Sequence, residues 1–270
     1  IHYTLCIHGV ILHQSTDGMH RRCWNRKVRM TRLSVNVNKI ATLRNARGGK
    51  APDVIAAAQN IQLYGAQGIT VHPRPDERHI TYADVRGLRP IVSTEFNIEG
   101  YPSEGFLALV CEVKPEQVTL VPDSPDVLTS NQGWAVRKER AMLEIVIRRL
   151  KENGMRVSLF TSTDHAEIEA SANIGADRIE LYTEPYAQGY AQGNLDAVIP
   201  FARAAAFAHG CGIEVNAGHD LDAQNLTHFA ANVPYLAEVS IGHALISDAL
   251  YNGLERTVQT YLDCLKPAHS

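Results

Sequence analysis

From residue 33 onward one pattern recurs: a short β-branched run, a loop, an alanine-rich helical stretch and a Gly-containing break. This repeat constrains the fold more than any other feature of the chain. The expected strands are Leu33–Asn38, Gly68–His72, Glu95–Ile98, Gln117–Val121, Arg156–Phe160, Arg178–Leu181, Ile213–Asn216 and Glu238–Ile241. They are four to six residues long and mostly apolar, as parallel strands covered by helices should be. The expected helices between them are Asp53–Tyr64, Tyr82–Val92, Ser103–Val113, Val136–Asn153, Asp164–Ile174, Leu195–His209, Ala223–Ala231 and Ala244–Leu265. Pro52-Asp53 opens the first helix, and Asn153-Gly154 and Asn173-Ile174-Gly175 close the fourth and fifth. Eight such units in 270 residues suit a (β/α)8 barrel. An open doubly wound sheet is disfavoured. No GxGxxG follows the first strand, where Val35-Asn36-Val37-Asn38 runs into Lys39. No Pro/Ser-rich linker interrupts residues 31–270, which are read as a single-domain α/β TIM barrel.

Composition supports a globular chain, with 45% hydrophobic and 20% charged residues. No stretch approaches the ~20 apolar residues of a membrane span. A net charge of −3 lacks the basic footprint of a nucleic-acid binder. The charge is unevenly spread. Residues 1–30 carry Arg21, Arg22, Arg26, Lys27 and Arg29 against Asp17 alone, together with Cys6, Cys23 and four of the twelve histidines. Their short apolar run precedes the basic residues, the reverse of a secretory signal. Residues 1–30 are therefore expected to be a poorly ordered, non-native leader, with Met30 as a candidate native start. Cys111, Cys211 and Cys264 then remain, far apart and without a CxxC, which suits a reducing cytoplasm and argues against a disulfide framework or thiolate zinc site.

In a barrel of this kind the active site forms where strands end and βα loops begin. Those positions hold Asn36, Asn38, Arg44 and Arg47 after strand 1, His72, Arg74 and His79 after strand 2, and Asn97 and Glu99 after strand 3. Strand 4 leads to Thr119, Asp123 and Thr129, strand 6 to Glu180 and Thr183, strand 7 to Asn216, Gly218 and His219, and strand 8 to Ser240, Gly242 and His243. A single Asn or His at a strand end is ordinarily a loop hydrogen-bonder. Four histidines, two glutamates and several arginines at one barrel mouth point instead to chemistry. Glu99 and the histidines suit acid/base work near neutral pH. Arg47, Arg74 and His79 suit an anionic substrate. Gly218-His219 and Gly242-His243 follow strands 7 and 8, where loops of this fold commonly bind phosphate.

Several segments together resemble the pyridoxine 5′-phosphate synthase family of vitamin B6 synthesis. They are Asn36-x-Asn38 with Ile40 to Arg47, Gly68 to Ile80, Asn97-Ile98-Glu99, Leu120-Val121-Pro122, Val215 to His219 and Ile241 to Ala244. The motifs keep the family's order across about residues 32–265. The resemblance implies a metal-free, cofactor-free barrel enzyme. It would condense 1-deoxy-D-xylulose 5-phosphate with 3-amino-2-oxopropyl phosphate, giving pyridoxine 5′-phosphate, phosphate and water. It implies bases at His72 and Glu99 and a proton donor at His219. It assigns the amino-ketone phosphate to Asn36, Arg47, the backbone at Asp220, and Gly242-His243. It assigns the pentulose phosphate to Asn38, Lys39, Arg74, His79 and Thr129. It further implies a homo-octamer, and helices 136–153 and 244–265 are long enough to offer apolar faces for self-association. Two departures stand out: Asn38-Lys39 where many members carry Asp-His, and Asp220 where a Gly is common.

The residues alone leave two other readings open. One is a metal-dependent hydrolase using His72, His79, His219 or His243, although no His-x-His or HExxH occurs. The other is a non-catalytic barrel that binds phosphosugars.

Overall fold

Residues 30–122 and 133–267 are described by a computed structural model, and in them the βα repeat closes on itself. Strands β1 (Arg32–Asn36), β2 (Gly68–Val71), β3 (Glu95–Gly100), β4 (Gln117–Leu120), β5 (Arg156–Thr161), β6 (Arg178–Leu181), β7 (Glu214–Ala217) and β8 (Leu236–Ile241) are parallel neighbours in sequence order. Val35 pairs with Ile69 on one side and Ile241 on the other, so β1 joins both ends of the sheet. The expected leader, apart from Met30, and Asp123 and Thr129 lie outside the described residues.

The helices start where side chains satisfy orphan N–H groups. Asp53 caps α2 (Val54–Leu63), Ser103 caps α4 (Glu104–Val113) and Asp164 caps α6 (His165–Asn173). Thr81 and Asp84 form a reciprocal capping box on α3 (Tyr82–Leu88). The others are α1 (Asn38–Asn45), α5 (Arg140–Glu152), α7 (Glu184–Ala191), α8 (Ile199–Gly210), α9 (Leu226–Asn232), α10 (His243–Asn252) and α11 (Leu254–Cys264).

Three features differ from the sequence expectation. The helix expected over 244–265 is two helices, because Gly253 adopts φ +80° between α10 and α11, a conformation that side-chain-bearing residues rarely take. Helices α1 and α7 were not expected. Each buries too few residues to show a stripe, Ile40 and Ala41 in α1 and Tyr186 in α7. Asn38 therefore opens a helix and does not end a strand.

The strands are also less uniformly apolar than expected. Leu33, Val35, Ile69, Val71, Ile98, Val118, Leu159, Ile179 and Val239 belong to the apolar core. The alternate residues are polar and meet inside the barrel, where branched apolar layers usually sit. At the N-terminal end of the strands, Arg178 is 1% exposed. Its guanidinium donates to Glu95 at 3.1 Å, Gln117 at 2.8 Å and Glu214 at 2.7 Å. Arg32 bridges Glu95 at 2.7 Å and Glu238 at 3.0 Å, and Arg156 also pairs with Glu95. Three guanidinium groups hold Glu95 below the usual carboxylate range although burial pushes the other way. Above this layer, Ser34 and Thr70 share a 2.7 Å hydrogen bond, and Asn97 accepts from Thr119 at 3.0 Å. These pairings satisfy part of the polar interior, while Ser158, Asn216 and Ser240 each keep a buried side-chain oxygen without a partner among the described residues.

Candidate active site

The C-terminal ends of the strands open into a cavity of about 740 Å³. Its wall includes Asn36, Asn38, Lys39, His72, Arg74, His79, Glu99, His219, Asp220, Gly242 and His243. Every described residue given a substrate or proton-transfer role from the sequence lines this cavity except Arg47, whereas Arg44, Asn97, Thr183, Asn216 and Gly218, expected at strand ends or in the loops after them, do not. Arg47 is exposed on the turn after α1 and does not line the cavity.

The floor is a relay of amides and carboxylate. Asn36 Nδ2 donates to Glu99 Oε2 at 3.4 Å, while Asn36 Oδ1 accepts the Asn38 N–H at 3.0 Å. Asn38 Oδ1 in turn accepts the His72 N–H at 3.0 Å. Thus Asn38 ties the start of α1 to the end of β2, and an uncharged amide suffices for that bond. Glu99 lies within β3, and its Oε2 is 4.0 Å from His72 Nδ1. Burial first, then Arg74, His79 and His219, push the His72 pKa down to about 3, so its imidazole is neutral at physiological pH.

His79 is placed by its backbone. Its carbonyl accepts from Arg44 at 3.2 Å and from Asn45 at 2.8 Å. Arg44 is held by a bidentate pair with Asp84, the acid of the α3 capping box. Arg44, which the sequence puts near the mouth, therefore shapes the loop and does not line the cavity. His79 Nδ1 accepts the Ile80 N–H at 2.9 Å, which leaves Nε2 to carry the proton. Burial, Arg74 and Lys39 lower the His79 pKa to about 4. Arg74 itself is only 5% exposed, a buried cation on the cavity wall.

The opposite wall comes from β6, β7 and β8. Gly218 follows β7 so closely packed against β8 that a Cβ would lie 2.8 Å from the Ser240 carbonyl carbon. Thr183 Oγ1 donates to the Gly218 carbonyl at 3.2 Å and accepts the Asp220 N–H at 3.1 Å. Leu221 also donates to the Gly218 carbonyl, at 2.6 Å. The backbone N–H groups of Asp220 and Leu221 are thus engaged within the turn, and the Asp220 carboxylate lies 3.0 Å from His219 Nδ1. Beyond β8, α10 begins at His243 with no side-chain cap, and Gly242, His243 and Ala244 line the cavity. An uncapped helix start facing a cavity is suited to an anion.

Glu180 was legible only as a polar strand end, without an assigned role. It is 4% exposed on β6, lines the cavity, and its Oε2 has no hydrogen-bond partner among the described residues. Burial, then the charges of Glu99 and Glu238, raise its pKa well above the ordinary range. Burial and like charge thus push it toward the protonated form beside ionisable neighbours, an arrangement found where enzymes donate protons. The signal available from sequence was an acid on an inward strand position two residues beyond Arg178. Among the described residues, no three His, Cys, Asp or Glu side chains are arranged to hold a metal ion. Among them too, no helix is long and apolar enough to cross a membrane.

Comparison with known proteins identifies the family. The family model "Pyridoxal phosphate biosynthesis protein PdxJ" matches residues 33–267. Pyridoxine 5′-phosphate synthase of Christiangramia forsetii is 59% identical over 237 residues, covering 88% of this chain and 100% of that protein. The protein of the same name from Parabacteroides distasonis is 58% identical over 236 residues, covering 87% and 99%. Among solved structures, 3-keto-L-gulonate-6-phosphate decarboxylase from Vibrio cholerae superposes with a TM-score of 0.58 at 12% identity, covering 88% of this chain and 100% of that one. Thiamine phosphate pyrophosphorylase from Pyrococcus furiosus gives 0.57 at 11% identity, covering 88% and 96%, and like the decarboxylase speaks to the barrel fold alone. With the barrel, the mouth and the match over residues 33–267 in agreement, the chain belongs to the PdxJ family of vitamin B6 biosynthesis.

Proposed function

We propose that this chain is a pyridoxine 5′-phosphate synthase that condenses 1-deoxy-D-xylulose 5-phosphate with 3-amino-2-oxopropyl phosphate, releasing phosphate and water. The observation that carries this reading is the neutral His72 set 4.0 Å from Glu99 at the floor of one cavity, between a cationic wall and an uncapped helix start. Joining an amine to a ketone as an imine, losing phosphate, forming a carbon–carbon bond and dehydrating all move protons. Several acid/base groups around one pocket suit such a sequence. His72 and Glu99 accept protons, and His219 donates them. Glu180, buried and pushed toward its protonated form, would protonate a departing oxygen.

Two phosphorylated substrates need two anion sites. Lys39, Arg74 and His79, with Asn38 behind them, suit the pentulose phosphate, together with Thr129 from the loop. Gly242-His243 at the start of α10, with Asn36, suits the amino-ketone phosphate. The exposed position of Arg47 adds no support for its share in that site. No organic cofactor or metal is required by this scheme. A cytoplasmic location accords with the isolated cysteines Cys111, Cys211 and Cys264. Homo-oligomerisation accords with Leu250 at 66% and Tyr251 at 91% exposure at the end of α10, and Ile145 at 63% on α5.

The test is an assay of purified protein with both phosphorylated substrates and no added metal. Pyridoxine 5′-phosphate and inorganic phosphate should appear together. Absence of both, from folded protein that still binds phosphosugars, would favour a binding protein instead.

A further inference from the structure

We infer that Asp220 is a positioning residue that fixes the tautomer and sustains the protonation of His219, an inference that rests on the proton-donor role proposed above. The geometry is rigid on every side. The Asp220 N–H is bound by Thr183 Oγ1 at 3.1 Å and its carbonyl accepts from Asn225 Nδ2 at 3.3 Å. The same Thr183 hydroxyl grips the Gly218 carbonyl, so the residues on both sides of His219 are anchored to one side chain. With the main chain held, the Asp220 carboxylate meets His219 Nδ1 at 3.0 Å, and both side chains line the cavity, 26% and 41% exposed.

A carboxylate on one ring nitrogen makes that nitrogen the N–H donor and assigns proton exchange with substrate to the other, Nε2. It also favours the imidazolium. Other charges face the same space. Glu184 of α7, Asp222 of the same loop and Glu99 across the cavity favour the cation, as Glu180 of β6 would if ionised, whereas Lys39 and Arg74 oppose it, as His72, His79 and His243 would if protonated. Of these acids Glu180 is pushed by burial toward its protonated form, and the Asp220 carboxylate is in ion-pair contact with the ring. Asp220 therefore offsets the cationic wall at the position where a donor is needed.

The test is Asp220→Asn, which keeps shape and removes charge. The pH dependence of His219 carbethoxylation by diethyl pyrocarbonate, read by peptide mass spectrometry, reports its titration without turnover. The midpoint should fall by about one pH unit. In the assay, the alkaline limb of kcat should move down by the same amount. Above that limb kcat then falls about tenfold, while KM for both phosphorylated substrates stays within about twofold. An unmoved His219 midpoint would overturn the inference. So would a change confined to the KM of one substrate, which would make Asp220 a substrate contact. If the wild-type chain produces no pyridoxine 5′-phosphate, the proposed function fails, and the carbethoxylation midpoints still decide the pairing. Circular dichroism of the variant verifies that the barrel is intact.

Discussion

Replacing Gly218 by Ala tests whether the β7–β8 contact sets catalytic geometry. The added Cβ would lie 2.8 Å from the Ser240 carbonyl carbon and 2.9 Å from its nitrogen, and closer still to its oxygen, where ordinary contact begins at 3.4 Å. All three atoms are backbone, so no side chain can swing away. Relief requires a relative shift of about 1 Å between the two strand ends. One end carries His219 next in sequence, and the other carries Gly242 two residues on. A displacement of ~1 Å in a positioned catalytic group costs ~100-fold in rate, whereas overpacking at one site costs ~1–3 kcal/mol of stability. Turnover should therefore fall about 100-fold while the far-ultraviolet circular dichroism spectrum is retained and Tm drops by a few degrees. Gly210→Ala is the control, since its added Cβ would meet nothing within 4 Å. Wild-type kcat in Gly218→Ala, or an equal loss in Gly210→Ala, would refute the reasoning.

Three further outcomes are expected. Glu99→Gln should abolish turnover while leaving the thermal transition near that of wild type, and full activity in this variant would remove Glu99 from the mechanism. Asp84→Ala releases Arg44 and the α3 capping box, so the KM of one phosphorylated substrate should rise about tenfold with a loss of ~1–2 kcal/mol in stability. An unchanged KM would show that the His79 loop is held by other contacts. Burial and the neighbouring Glu95 raise Glu238 to about 7 against the pull of Arg32 and Arg178. The folded state then keeps a proton that the unfolded chain releases, so stability falls as pH rises from about 4.5 to about 7, by ~3 kcal/mol over the window. Glu238→Gln should flatten that slope in urea titrations at stepped pH. Parallel wild-type and variant curves would count against a protonated Glu238.

Much of the fold was legible because parallel strands under helices leave a strong local trace. Arg178–Leu181 coincides with β6, and the other strands agree within two residues at either end, because each β-branched run stands apart from the loop and helix patterns beside it. Helices with a wide buried stripe and a side-chain cap, such as α2 and α4, were equally readable. Helices α1 and α7 were not, since a short helix burying one or two residues shows no period. Gly253 is an ordinary letter in an amphipathic stretch until its backbone is seen to turn.

The candidate site shows the same division. His72, Glu99, His219 and the Gly-His turns could be gathered from sequence because a parallel barrel places every strand's C-terminal end at one mouth. Sequence order alone thus determined the barrel, the face that bears the site, and most of the side chains on it. Tertiary structure decided protonation and partnership. Whether Glu180 is charged depends on the burial and the acids around it. Whether Arg44 touches substrate or braces a loop depends on Asp84 of α3. That the Asp220 carboxylate meets the His219 imidazole depends on a main chain held by Thr183, a residue 37 positions away. These outcomes rest on distances between atoms remote in the chain and on the local dielectric, and both exist only once the barrel has closed.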